Sequence, residues 1–384
     1  GTLGVVSAWR THHSISEIGR EPWQRLEVPN FPFADFAFLE TLETSGSVGP
    51  GTGWQPLYLA HYEGELLQAA AILYLKTDSY GEYIFDWAWA NAYARNGCDY
   101  YPKLVSAIPF TPATGPKLLV ANSAPPKLRA ELIERLACEL RNRDLSSLHA
   151  LFVNDQECTL YQDAGFLIRA SCQFHWQDRG YKSFNEFLAT LRQKKRKEVR
   201  RERRIVSEHG LEIQTLTGEA IRPEHMAAMY RFYRDTTDRK RGSAYLTAEF
   251  FANIATQMPN QVVLHLAREA DGWVAGALGF RKGNALFGRH WGATAHYPCL
   301  HFELCYYQGI DFAIEHGLQL FEAGAQGAHK IQRGFSPVIT RSAHLIADPR
   351  FAGAIAAFIE DEDACIVHEL DEHQDAYRAT DSSR

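Results

Sequence analysis

Apolar and polar positions alternate in two stretches of this chain in matching ways. Residues 57–61 and 66–75 read as two strands around a Glu63-Gly64 turn, and residues 262–268 and 273–281 read the same way around Asp271-Gly272. Small residues follow each turn, Ala69 to Ala71 in the first and Ala275 to Ala277 in the second. Farther along, the period changes to that of helices. Leu128, Leu132, Leu136 and Leu140 form an i, i+4 stripe over 126–141. Phe302, Tyr306, Ile310 and Phe312-Ala313 do so over 302–316, where Gly317 gives a stop. Residues 80–89 alternate as a strand, with Glu82, Ile84, Asp86 and Ala88 on one face and Tyr83, Phe85, Trp87 and Trp89 on the other. The aromatic face is expected in the core. The acidic face is expected at solvent or on a cleft wall shared with Tyr100, Tyr101 and Lys103.

A second set of landmarks repeats downstream of each hairpin. Leu151-Phe152, Gly165-Phe166 and His175 recur as Leu320-Phe321, Gly334-Phe335 and His344 at identical spacings. The pattern predicts an internal repeat of strands mixed with helices, an α/β chain. Aligned on the Gly-Phe step, Glu322 stands opposite Val153, Gln326 opposite Glu157, Lys330 opposite Tyr161 and Arg333 opposite Ala164. The second copy therefore carries ionisable groups where the first has core residues. Buried charge must be paired or placed in a polar cleft. Two readings remain open. Glu322 pairs with Lys330 or Arg333 to hold the strands, or Lys330 and Arg333 bind an anion while Glu322 or His329 serves as a base. The boundaries expected are 1–178, 179–346 and an acidic end, 347–384, with one helix at 351–358.

The chain has 384 residues, 46% hydrophobic and 22% charged, enough for a substantial core. A net charge of -6 excludes a globally basic nucleic-acid binder. Yet residues 192–204 hold nine Lys or Arg against Glu198 and Glu202. Such a run is either a solvated helix face or, through Lys194, Lys195, Arg196, Arg200 and Arg201, an anion or RNA site. Seven cysteines without a C-x-x-C pair suggest reduced thiols and a cytoplasmic setting. No apolar run is long enough to span a membrane, and the first residues lack the apolar core of a signal peptide. The chain contains no G-x-S-x-G, H-E-x-x-H or P-loop. His301-x-Glu303 after Pro298-Cys299 has the composition of a deaminase zinc signature in the wrong order, so no metal is expected.

The segments SYGEYIFDWAWANAY, YYPKLVSAIPFTP, KKRKEVRRER, LHFELCYYQ and GAQGAHKIQRGFSPV resemble those of FemAB-like proteins, a peptidoglycan biosynthesis or recognition family within the GNAT acyltransferase superfamily. The resemblance covers roughly residues 7 to 360. It implies two tandem GNAT-like domains, each a mixed, mostly antiparallel sheet flanked by helices. It also implies amine attack on an activated carbonyl. Fem transferases take amino acids from aminoacyl-tRNA to a cell-wall precursor, whereas ordinary GNAT enzymes use acetyl-CoA. The usual CoA loop, Q/R-x-x-G-x-G/A before a helix, has its nearest match at Arg289-x-x-Gly292-x-Thr294, which lacks the final small residue. Residues 294–300 also lack glycine and contain Pro298, which has no N–H to donate. No tightly bound cofactor is therefore expected, and the donor reads as tRNA-borne or carrier-borne, with acyl-CoA as the alternative co-substrate. The candidate catalytic groups are Glu322, His329 and His301. Candidate substrate contacts are Lys330, Arg333, Gln326, Glu303, Tyr306, Arg289, Glu82, Asp86, Tyr101 and Lys103. A non-catalytic module that recognises cell-wall fragments or RNA is the reading from another class.

Overall fold

The structure, a computed structural model, describes residues 7–239, 245–324, 328–372 and 375–378. The chain forms two compact units. The first runs to Ser171 and takes back Ile339–His368, and the second comprises Cys172–Val338 and the chain from Glu369. The boundaries expected from sequence do not include this return.

Nine strands come from the first half: β1 (Ser7–His12), β2 (Trp54–Pro56), β3 (Tyr58–Glu63), β4 (Leu66–Ala71), β5 (Tyr74–Lys76), β6 (Lys103–Ser106), β7 (Leu118–Val120), β8 (Ser147–Val153) and β9 (Leu167–Gln177). The second half adds β10 (Glu212–Thr217), β11 (Val262–Glu269), β12 (Gly272–Lys282), β13 (Ala285–Ala293), β14 (Leu320–Glu322) and β15 (Ser336–Ile346). The first unit holds an antiparallel sheet ordered β1-β3-β4-β7 and a mixed one ordered β2-β5-β6-β8. The second unit is ordered β10-β11-β12-β13-β14, antiparallel except where β13 and β14 run parallel. The α/β class and the division into two tandem units are as expected.

The repeat has an exchanged ending. In the first unit β8 pairs with β15, placing His149 opposite His344. In the second, β14 pairs with β9, placing Glu322 opposite His175. Each unit is thus completed by the last strand of the other repeat.

Two expectations change. Residues 80–89 are not a strand: Gly81 and Tyr83 take positive φ, and a helix follows at Trp87–Arg95. Alanine at alternate helix positions favours that outcome, and Trp89 and Tyr93, one turn apart, supply its buried stripe. Phe85 and Trp87, expected inside, are 60% and 41% exposed. Glu82 and Asp86, expected at solvent or in a cleft, are buried with Lys103, whose Nζ lies 2.8 and 2.5 Å from them. The acidic end is also longer than expected, a helix over Pro349–Glu372. Phe351, Ile355 and Ile359 pack against Trp89, Tyr93 and Tyr100, and Arg169 holds Glu362 with two hydrogen bonds.

In the second unit, helices cover both faces of the sheet. The helix Pro223–Arg239 lies so close that a Cβ on Gly292 would fall 1.9 Å from the Phe232 carbonyl oxygen. The glycine of the CoA-like match therefore serves helix packing. On the opposite face the chain is helical from Leu300 to Glu315.

Candidate active site

A gap opens where β13 and β14 stop pairing. Only Ala285–Phe287 match Leu320–Glu322, although β13 continues to Ala293. Just past that point β13 bulges. Leu278 pairs with His290 and Gly279 with Gly288, so Arg289 is the extra residue. A regular strand would turn alternate side chains away. Here Gly288, Arg289 and Trp291 line one cavity of about 240 Å3, while the His290 ring packs against Tyr233 and Phe251. The sheet face and the helix enclose it, with His265, Ala277 and Gly279 on one side and His301, Cys305 and Tyr306 on the other. Gly309 lets the helix approach, since a Cβ there would meet the Phe321 ring at 2.3 Å.

The helix widens into a π-turn at Glu303–Tyr307, a geometry common at functional sites. Charges fix that turn. Glu303 is buried and receives two hydrogen bonds from Arg203, at 3.0 and 2.8 Å, and one from Gln308. Tyr307 donates to Glu202 at 2.7 Å, and Arg333 grips the same carboxylate at 2.8 and 3.2 Å. The Arg333 guanidinium also lies over Phe302, 3.7 Å from the ring centre.

Tyr306 and His329 meet at the cavity, the phenol oxygen 2.7 Å from Nε2. His329 is exposed at one side, and partial burial, then Arg333 and Lys330, lower its pKa from the ordinary 6.5 and so favour the neutral ring. Burial pushes the Tyr306 phenol well above 10, so it keeps its proton. Lys330 is buried and donates to the Gly324 carbonyl at 3.1 Å. Burial chiefly brings its pKa down to about 8. Such a constellation combines a proton acceptor, a proton donor and fixed positive charge around a small enclosed space.

The structure brings His301, His329, Tyr306 and Arg289 together in the cavity lining. Glu322 goes elsewhere. Its neighbours Phe321 and Ala323 line the cavity, while its own carboxylate lies 2.8 Å from His175 Nε2. The expected pairs of Glu322 with Lys330 or Arg333 are replaced by this contact. Glu303 and Arg333 face ion-pair partners that anchor the site helix. Gln326 lies outside the described residues. Glu82, Asp86, Tyr101 and Lys103 form a separate network in the first unit, where Lys103 also donates to Ser79 and Ser79 meets the Tyr101 hydroxyl. Burial, opposed by Lys103, pushes the Glu82 carboxyl up to about 7.

The basic run is a helix, Gln193–Glu208, with two kinds of side. Val199, Glu202 and Val206 are buried. Lys194, Lys197, Arg200 and Arg201 are exposed. Lys195 is drawn to Glu198 at 3.7 Å, and Arg196 reaches the Leu191 carbonyl at 3.4 Å. Among the described residues no cluster of His, Cys, Asp or Glu is placed to hold a metal.

Sequence reasoning missed His265, Trp291 and Cys305. For His265 a signal existed: an imidazole in the middle of the apolar run VVLHLA, on the same face as Val263. The bulge that leaves Arg289 as the extra residue beside Trp291 left no comparable signal.

The sequence matches the model of the FemAB-like family, described as peptidoglycan biosynthesis/recognition, over residues 14–379. No match was found among curated proteins. Among solved structures, FemX aligns with a TM-score of 0.52 at 11% identity, over 90% of this chain and 100% of its own. The L-PGS structure from Bacillus licheniformis aligns with a TM-score of 0.52 at 10% identity, over 87% of this chain and 96% of its own. At such identities the likeness is one of fold.

Proposed function

From the premise that this chain belongs to the FemAB-like family, we propose that it is an acyl or aminoacyl transferase, forming an amide on an amine acceptor in the second-unit cavity. The observation that carries this reading is the Tyr306–His329 contact beside the bulge at Arg289. In the reaction, the amine attacks the activated carbonyl, the C–N bond forms, and the bond to the carrier oxygen breaks. The Tyr306 oxygen takes the proton that the amine must lose while its own proton passes to His329 Nε2. Tyr306 gives its proton to the leaving oxygen and is restored through the hydrogen bond from His329. The net transfer is one proton from amine to leaving alcohol. Arg289, on the bulge, faces the carbonyl region and offers positive charge to the developing oxyanion. His301 packs its ring against Trp291 and Tyr306 and sets their orientation.

The donor we favour is aminoacyl-tRNA or another carrier-borne ester acting on a cell-wall precursor. A pyrophosphate cradle needs main-chain N–H groups free at a helix start. Here the Leu300 amide is spent on the Tyr297 carbonyl at 3.2 Å and the Glu303 amide on Cys299 at 3.1 Å. The exposed cations of the basic helix suit a polyanionic carrier.

The test is mass spectrometry of products from charged tRNAs and acyl-CoAs with cell-wall amine acceptors. Tyr306→Phe and His329→Gln should each lower turnover by about 100- to 10,000-fold with the fold intact by circular dichroism. Unchanged turnover in both would remove the assignment. Product from acyl-CoA alone would replace the donor.

A further inference from the structure

His265 occupies an unusual place in this cavity. It sits in the middle of β11, surrounded by Val263, Leu264 and Leu266, where packing asks for an apolar side chain. It is 6% exposed, and its Nδ1 meets the Thr215 hydroxyl at 2.8 Å. That bond fixes the ring plane. The other nitrogen, Nε2, makes no hydrogen bond among the described residues, and the ring lines the cavity. Burial keeps the ring neutral, its pKa pushed down to about 4. The cavity leaves Nε2 within reach of an entering group, to which it can donate or from which it can accept.

The register shows what could reach it. His265 is opposite Ala277, and Ala277 is opposite Trp291 on the bulged strand. Two strand spacings, roughly 10 Å, therefore separate the His265 and Trp291 backbones. Between them stands only a methyl group, with Gly279 and Gly288 forming the next row. This lane has room for a short acyl tail that starts near Arg289 and Tyr306 and ends at His265. Among the described lining residues there is no carboxylate to receive an ammonium at the far end of the tail.

Resting on the transferase reading, we propose that His265 is a specificity-determining residue. Its Nε2 hydrogen-bonds the far end of the transferred acyl group, selecting a short side chain that ends in a hydroxyl over one that ends in an alkyl group or in a second ammonium. The Thr215 hydroxyl can donate or accept, so either imidazole tautomer is available to a ligand hydroxyl.

Two arms test this. In the first, the full chain is given tRNAs charged with serine, alanine or lysine and a cell-wall amine acceptor. Seryl transfer should exceed alanyl transfer by about tenfold in kcat/KM, and lysyl transfer should be lower still. His265→Leu should bring the serine-to-alanine ratio near one, while His265→Gln, which retains a hydrogen-bonding end, should keep a preference. Equal serine and alanine rates in the wild type, or a ratio unmoved in His265→Leu, would overturn the proposal. The second arm needs no turnover. Lactamide and propionamide, alike in size but for one hydroxyl, are titrated against the protein while the His265 imidazole nitrogens are followed by NMR. Lactamide should shift Nε2 at concentrations where propionamide does not. Absence of any shift, or equal shifts, counts against His265. If neither a charged tRNA nor an acyl-CoA is a donor but lactamide binds at Nε2, the transferase reading fails and the His265 site stands.

Discussion

The His329 ring meets the Tyr306 hydroxyl at the cavity, and burial first, then neighbouring cations, lower its proton affinity. This gives a pH prediction whose sign is fixed. Burial, Arg333 and Lys330 all disfavour the imidazolium, so the acid limb of kcat/KM should have its midpoint below the ordinary 6.5 and be flat near pH 7. Near that midpoint Lys330, with its pKa of about 8, is still charged. Replacing it by Met keeps the stem and removes the charge. The acid limb of Lys330→Met should therefore move up toward 6.5, measured as the pH dependence of kcat/KM. A downward move would mean that Lys330 acts on another group. At this scale the sequence was partly legible. The clustering of His329, Lys330 and Arg333 was visible because charge in a repeat otherwise filled by Tyr and Ala is conspicuous. Their partners were not visible, because Glu202 lies 131 positions from Arg333 and nothing local links them.

Elements were more legible than residues. Both hairpins and the helices over 126–141 and 302–316 follow from periodicity because each buries a face whose spacing is written locally. Residues 80–89 failed because alternation of large aromatics mimics a strand, while two backbone breaks at Gly81 and Tyr83 override it. The exchange of β9 and β15 left no local trace, since either strand satisfies the same pattern in either unit. The site itself depends on one close approach between elements. Gly309 allows the helix to rest on Phe321, and an added methyl would meet its ring at 2.3 Å. The ring is buried and has little room to withdraw. Gly309→Ala should therefore cost about 1–3 kcal/mol by overpacking, less the modest gain from helix propensity. Urea denaturation of the two proteins measures the difference. Because the same methyl would push the helix from the sheet, catalysis should fall along with stability. Wild-type stability would show that helix and strand can slide apart freely.

For the whole molecule, the charge distribution matters more than its sum. A chain of net charge -6 repels a polyanion at long range, so any tRNA affinity must come from a local field. The basic helix supplies one, and its inward side is already occupied: Arg203 is committed to Glu303 and Asp311, and Glu202 to Tyr307 and Arg333. The outward side is open to phosphate through Lys194, Lys197, Arg200 and Arg201, while the exposed Arg204 is drawn to Glu208. This division makes a prediction internal to one helix. Binding of tRNA, measured by filter retention between 50 and 200 mM salt, should weaken steeply as counterions return, as on the order of 10³-fold for about six phosphate contacts. Each outward residue changed to Gln should reduce the slope of log affinity against log salt by about 0.7–0.9 if it touches a phosphate. Lys195→Gln and Arg196→Gln should change it less, because those side chains are drawn to Glu198 and to the Leu191 carbonyl. Equal effects from all six positions would mean a diffuse attraction without a defined contact face. No effect from any of them would separate the basic helix from the donor altogether, and the carrier would then have to be recognised at the cavity alone.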